Sequence, residues 1–156
     1  MSAQEASLRQ QIEDAFSDVP RPDDNRIAYA PDAWETTELI RDFRGLHWKD
    51  VPAERIRQHA AHLSLFSLEA IHYYLPGYLL AALTDPDVRD FLLSQLSIPD
   101  ESHPELRAHF KSRFGALSPE QRTAVQMFLR RMRDEASGPI TRQHWSQALE
   151  TYWNAS

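Results

Sequence analysis

Apolar residues recur along this chain at three- and four-residue intervals, and nowhere do four or more residues alternate apolar and polar between turn signals as a strand would. Leu8, Ile12, Ala15, Phe16 and Val19 form one stripe, with Arg9, Glu13, Asp14 and Asp18 off it. That spacing predicts an amphipathic helix over 1–19 ending before Pro20, which cannot continue it. Residues 20–31, with Pro20, Pro22, Asp23, Asp24 and Asn25, read as an extended surface loop, and 32–156 as a helical core.

Each later helix announces itself with an oxygen for the unpaired N–H groups of a first turn. Asp32 with Glu35 has capping-box spacing, and Leu39, Ile40 and Phe43 follow before Gly45. A short helix starts at Asp50–Pro52 and carries Ile56, Ala60 and Leu63. Ser67 caps a segment running to Leu83, and Asp85–Pro86 starts a helix with Val88, Phe91, Leu92 and Leu96 inside. Ser102 with Glu105 starts one carrying Leu106, Phe110 and Phe114. Ser118, Pro119 and Gln121 combine a capping serine, a first-turn proline and a glutamine able to reach back. That helix presents Val125, Phe128, Leu129 and Met132 and stops at Gly138–Pro139; a last one from about Thr141 carries Trp145, Ala148, Leu149, Tyr152 and Trp153.

The 67–83 segment is read as the centre. Leu68, Ile71, Leu75, Tyr78, Leu79 and Ala82 share one arc while Tyr73 and Leu80 point the other way, the pattern of a helix buried on two sides. Pro76 removes a donor and crowds the carbonyl of His72, predicting a kink or two helices in series. The expected fold is all-α: a compact single-domain bundle of six or seven helices spanning 1–156, with a Pro-kinked helix at its centre.

Composition narrows the function classes. A chain of 156 residues buries roughly 68–70% of its unfolded surface, enough for one core. The absence of cysteine excludes disulfides, a thiol nucleophile and cysteine-ligated metal. A net charge of −6 argues against nucleic acid or an anionic membrane as partner of the whole molecule. The longest apolar run, Tyr73–Leu83, has 11 residues and contains Pro76 and Gly77, against roughly 20 needed for a span. Residues 1–12 lack a basic start followed by an apolar run, so a cytoplasmic protein is expected.

The net charge hides a segregation. Residues 1–54 hold 6 basic and 12 acidic side chains, whereas 107–133 hold 7 basic and one acidic. Arg122, Arg130, Arg131 and Arg133 lie beside or away from the apolar stripe of their helix and form the candidate partner-binding set. Either they pair with the acidic N-terminal half, or they dock an acidic protein, for which guanidinium forks suit carboxylates. Nucleic acid is excluded as their partner because nearby Phe110, Phe114 and Phe128 are committed to the core.

Candidate chemistry is sparse. His59 and His62 are three apart, as are Glu69 and His72, but the Glu-x-x-His pattern of carboxylate-bridged metal bundles occurs once where two copies and two further glutamates are required. Neither a metal nor another cofactor is therefore assigned. Glu35 and Glu38 share a helix side, most simply as a solvated acidic face, and the well-placed serines are explained as caps.

The run Phe43-Arg44-Gly45-Leu46-His47-Trp48, the segment Ser67 to Leu80 with Ser-x-Glu-Ala leading into Tyr73-Tyr74-Leu75-Pro76, and the start Ser118-Pro119-Glu120-Gln121 resemble the signature of a bacterial family of small proteins built on a domain of unknown function. The resemblance covers about Trp34 to Ala136 and implies the helical fold and a bacterial cytosolic setting, with no catalytic residues. The family pattern has arginine more often at 72 and alanine at 77, which weakens a metal role for Glu69 and His72. The expectation is a non-enzymatic protein-binding module, such as an immunity or accessory protein. The alternative is a small-molecule or metal-dependent enzyme gathering Glu35, Glu38, His47, Glu69 and His72 from several helices.

Overall fold

In a computed structural model of the chain, which describes residues 2–30 and 33–154, eight α-helices follow one another: α1 (Ala3–Ala15), α2 (Trp34–Phe43), α3 (Ala53–Gln58), α4 (Leu68–Ala82), α5 (Pro86–Leu96), α6 (Pro104–Gly115), α7 (Pro119–Glu135) and α8 (Pro139–Ala148). A π-helical turn, Leu149–Trp153, closes the chain. The fold is all-α, and the six-residue α3 takes the helix count past six or seven. Among the described residues the sole β-type pairing is an isolated bridge between Ala28 and Phe66.

The caps carry the starts as the sequence indicates at three helices. Ser118 Oγ accepts from Gln121 N at 3.1 Å while Gln121 Oε1 accepts from Ser118 N at 2.9 Å, a complete capping box. Ser67 Oγ accepts from Ala70 N at 3.0 Å, and Asp85 Oδ1 accepts from Asp87 N at 3.0 Å. Elsewhere the boundaries move. Asp32 lies outside the described residues, and the residue at the cap of α2 is Ala33. Ser102 bonds to Asp100 instead, so α6 starts at Pro104 after His103. Gly138 does not stop α7, which ends at Glu135 with Ala136 as its cap; with φ −141° it is the extended residue before α8. Gly45, at φ +75°, is the one positive-φ residue among those described, and it ends α2 where a side chain would be strained.

By internal contacts the chain forms two units: residues 1–15 with 93–156, and residues 16–92. In the first, α7 packs against α8, α1 and the π turn. Its core joins Val125, Phe128, Leu129, Trp145, Leu149 and Trp153, all at most 2% exposed. Leu106, expected inside, is 59% exposed.

In the second unit α4 lies against α3 and a 3-10 turn at Trp48–Asp50. As the two-sided pattern predicts, Ile71, Leu75, Tyr78 and Leu79 are buried and so is Tyr73 on the opposite side, although Leu68, at the first turn, is exposed. One continuous helix runs through Pro76. Phe43 sits at the centre, with ring centroids 5.2 Å from Phe66 and 5.0 Å from Tyr74. The helix over 1–19 ends four residues early, at Ala15. The 20–31 segment is also less superficial than its composition suggests: Ile27 is fully buried, pinned by Ser67 N donating to its carbonyl at 2.8 Å. Phe91 departs in the other direction and is exposed.

Gly77 offers a direct test of this packing. A Cβ built there meets Trp48 O at 3.5 Å and Ile56 Cδ1 at 3.7 Å, ordinary contacts, in a helix interior where glycine has no conformational task. Gly77→Ala should raise stability by about 0.5–1 kcal/mol in urea unfolding; a loss would mean that α4 and the 48–50 turn are closer than described.

Candidate functional site

The second unit brings three titratable side chains into a single hydrogen-bonded line. Asp42 stands in the last turn of α2, on the face that also carries Glu35 and Glu38, because intervals of three and four residues return to one side of a helix. His59 follows directly on the end of α3, and His62 precedes a 3-10 turn at Leu63–Leu65. His59 is 1% exposed. Its Nε2 lies 2.8 Å from Asp42 Oδ2, and its Nδ1 lies 2.9 Å from Nδ1 of His62.

With Asp42 ionised and His59 neutral, donor counting assigns the protons along this line. An ionised carboxylate only accepts, so His59 donates through Nε2–H; a neutral His59 then accepts at Nδ1, and His62 donates through its own Nδ1–H. Nε2 of His62 is left as the nitrogen with the lone pair. Burial pushes the Asp42 carboxyl up, but hydrogen bonds from His59 and Arg41 outweigh it and hold the group below its usual range. His62 is pushed down by burial and by His59, against the opposing pull of Glu35 and Glu38.

Backbone contacts brace the line. Tyr78 Oη donates to the carbonyl of His59 at 2.9 Å, and Arg55 Nη1 donates to that of Asp42 at 3.0 Å. Tyr74 Oη lies within 3.0 Å of the Phe43 carbonyl and 3.1 Å of that of Leu46. Burial raises the Tyr74 and Tyr78 hydroxyls well above their ordinary range, so both act as fixed donors.

The other residues singled out by spacing are dispersed. Glu69 and His72 line a cleft of about 280 Å³ with Val19, Pro20, Arg21, Pro22 and Asp23. Glu69 faces Arg26 at 3.3 Å. His47 uses Nδ1 to accept from Lys49 N at 3.1 Å, capping the 48–50 turn. The five-residue set of Glu35, Glu38, His47, Glu69 and His72 is thus divided over different places. Among the described residues no three His, Asp or Glu side chains converge as metal ligands would.

The arginines of α7 make contacts near at hand. Arg122 donates to the Tyr152 carbonyl at 2.6 Å and covers the rings of Tyr152 and Trp153 at 4.7 and 5.4 Å. Arg131 pairs with Glu135 and Arg133 with Asp134. Arg130, exposed, reaches Asn154 Oδ1 at 3.4 Å.

The largest exposed aromatic side chains were not singled out by the sequence reading. Tyr29 is 73% exposed and Trp34, the first residue of α2, is 79% exposed. Thr36 Oγ1, buried, lies 2.6 Å from the Ala30 carbonyl and 2.7 Å from that of Ala33, and Tyr29 N donates to Leu65 O at 2.8 Å. Helical periodicity could have flagged Trp34, which falls outside the Leu39–Phe43 stripe. No local pattern marks Asp42 as the partner of a histidine 17 residues away.

The model of a family of unknown function (DUF6714) matches residues 4–156. The chain belongs to that family. No curated protein and no solved structure matches it. The resemblance read from the motifs holds at this level, and the family match extends beyond their span in both directions, from the second residue of α1 past the π turn. Family membership brings no activity with it, so in this DUF6714 chain function is argued from the sites themselves. Among the described residues no helix is long and apolar enough to cross a membrane.

Proposed function

We propose that this chain is a bacterial protein-binding module, of the immunity or accessory kind, that docks its partner through Tyr29 and Trp34. The exposure of these two aromatics, close together along the chain, carries the reading. Tyrosine and tryptophan dominate interface energetics because each buries a large rigid area at little entropic cost, and one exposed alone would need no explanation. Two so near each other in the sequence offer a paired anchor.

The surroundings specify the partner's chemistry. Asp23, Asp24, Glu35 and Glu38 lie close along the chain, so the complementary surface is an apolar pocket with a basic rim. The α7 arginines are the alternative docking face for an acidic partner. Their salt bridges to Glu135 and Asp134 are partly exposed and worth at most about 1 kcal/mol each, so a partner's carboxylates could replace them.

Titration of a partner recovered by affinity capture separates the two faces. Trp34→Ala should weaken binding by about 2 kcal/mol or more, roughly thirtyfold, with thermal stability unchanged. Charge reversal at Arg130, Arg131 and Arg133 should leave the affinity within about threefold. The opposite ranking would move the interface to α7.

A further inference from the structure

The Asp42–His59–His62 line has a consequence independent of the binding reading. We propose that His62 is a nucleophilic site whose Nε2 accepts an acyl group from uncharged or cationic carbonyl esters, with Asp42 and His59 as positioning residues. Three observations carry this. With His59 neutral, the line puts the His62 proton on Nδ1 and leaves the lone pair on Nε2, the nitrogen that does not face His59. His62 is half-buried and has no partner at Nε2 among the described residues, whereas His59 uses both nitrogens and is closed to solvent. Glu35 and Glu38 share the face of α2 that carries Asp42, and their negative charge disfavours anionic substrates at this line.

The step balances without a further reagent. Nε2 attacks the ester carbonyl, the new C–N bond forms, and the C–O bond breaks with its electron pair leaving on the alcohol oxygen. The positive charge arising on His62 is relieved as its Nδ1 proton passes to Nδ1 of His59, whose Nε2–H remains bonded to the Asp42 carboxylate. Water then hydrolyses the acyl-imidazole, releasing the acid and returning the proton. The groups facing this line are few. From α2 come Glu35, Glu38 and Asp42 with its partner Arg41; from α3 comes Arg55, held at the Asp42 carbonyl; from α4 comes the Tyr78 hydroxyl at the His59 carbonyl.

The test uses the full chain with 4-nitrophenyl acetate as the neutral probe, following 4-nitrophenolate release and locating the acyl group by mass spectrometry. His62→Gln should lower protein-dependent release by at least about tenfold, and the acyl group should map to residue 62. A matching ester with a carboxylate on its acyl chain should react several-fold more slowly, and the difference should close in the Glu35→Gln, Glu38→Gln double variant, whose exposed positions leave the fold intact. Long-range proton–nitrogen NMR should show His62 as the Nδ1–H tautomer, with Asp42→Asn shifting both that signature and the pH profile of release. Unchanged release in His62→Gln, acylation elsewhere, or an Nε2–H tautomer at His62 in the native chain would overturn the proposal.

Discussion

Trp153→Ala should lower the stability of the first unit by about 3–5 kcal/mol, the largest loss expected from any single truncation there. The indole is fully buried, and its Nε1 donates to the Leu96 carbonyl at 2.9 Å. Its ring stands 5.4 Å from that of Phe114 and 6.5 Å from that of Phe110, and the Arg122 guanidinium lies over it at 5.4 Å. Alanine would remove the transfer energy of the ring, leave a cavity between α6 and α7, and strand a buried carbonyl. Trp153→Phe separates these effects: it keeps most of the packing and loses the donor, for about 1–3 kcal/mol. Urea unfolding reads both, and a cost below about 1 kcal/mol for alanine would show that the π turn is not a core element.

In the second unit a large loss is expected from His59→Leu. Removing the hydrogen-bond partner of a buried charge costs about 3–5 kcal/mol because that charge remains without compensation. Here the figure should fall to about 2–4 kcal/mol, since Arg41 still reaches Asp42 Oδ1 at 3.3 Å and the Asp42 side chain is 12% exposed. Adding Asp42→Asn should recover part of that loss, because the stranded charge disappears with it.

The same line makes stability depend on pH with a definite sign. His62 has its folded-state pKa below the ordinary 6.5, so the unfolded chain binds its proton first and stability declines as pH falls from about that value. Asp42 has its folded-state pKa below 3.8, so its contribution is complete above that value and is lost as pH falls further. Urea midpoints measured between pH 8 and pH 3 should therefore decline in two stages. In His62→Gln the upper stage should be weakened or absent; an undiminished upper decline would assign it to other groups.

Much of the fold was legible because its signals are local. Ser118, Ser67 and Asp85 cap helices within three residues of themselves, and the stripe of α7 repeats at helical spacing, so no distant information is required. The failures are also physical. Ser102 carries the right residue type for a cap, but Asp100, two residues earlier, offers it a competing bond, and the helix waits for Pro104. Ile27 looked like part of a surface loop because its burial depends on a pairing with the segment before α4. Leu106 and Phe91 lie on stripes that extend past the edge of the core, and periodicity alone does not say where packing stops.

For the sites, the three-residue spacing of His59 and His62 is visible in the sequence, but no helix joins them. The helix ends at Gln58, and the two rings meet across the turn that follows. What organises them is Asp42, whose contribution comes from tertiary packing of α2 and is invisible to a local window. The charge imbalance of residues 107–133 was plain in the sequence; that Arg131 and Arg133 would find acidic neighbours just beyond their own positions was also there to be read, in Asp134 and Glu135.

The most direct test of the binding account places a photo-crosslinking residue at position 34 and, separately, at position 130, in the cells that make this protein. The account predicts one discrete adduct with a second protein from position 34 and none from position 130. No adduct at 34, or the discrete adduct at 130 instead, would contradict it.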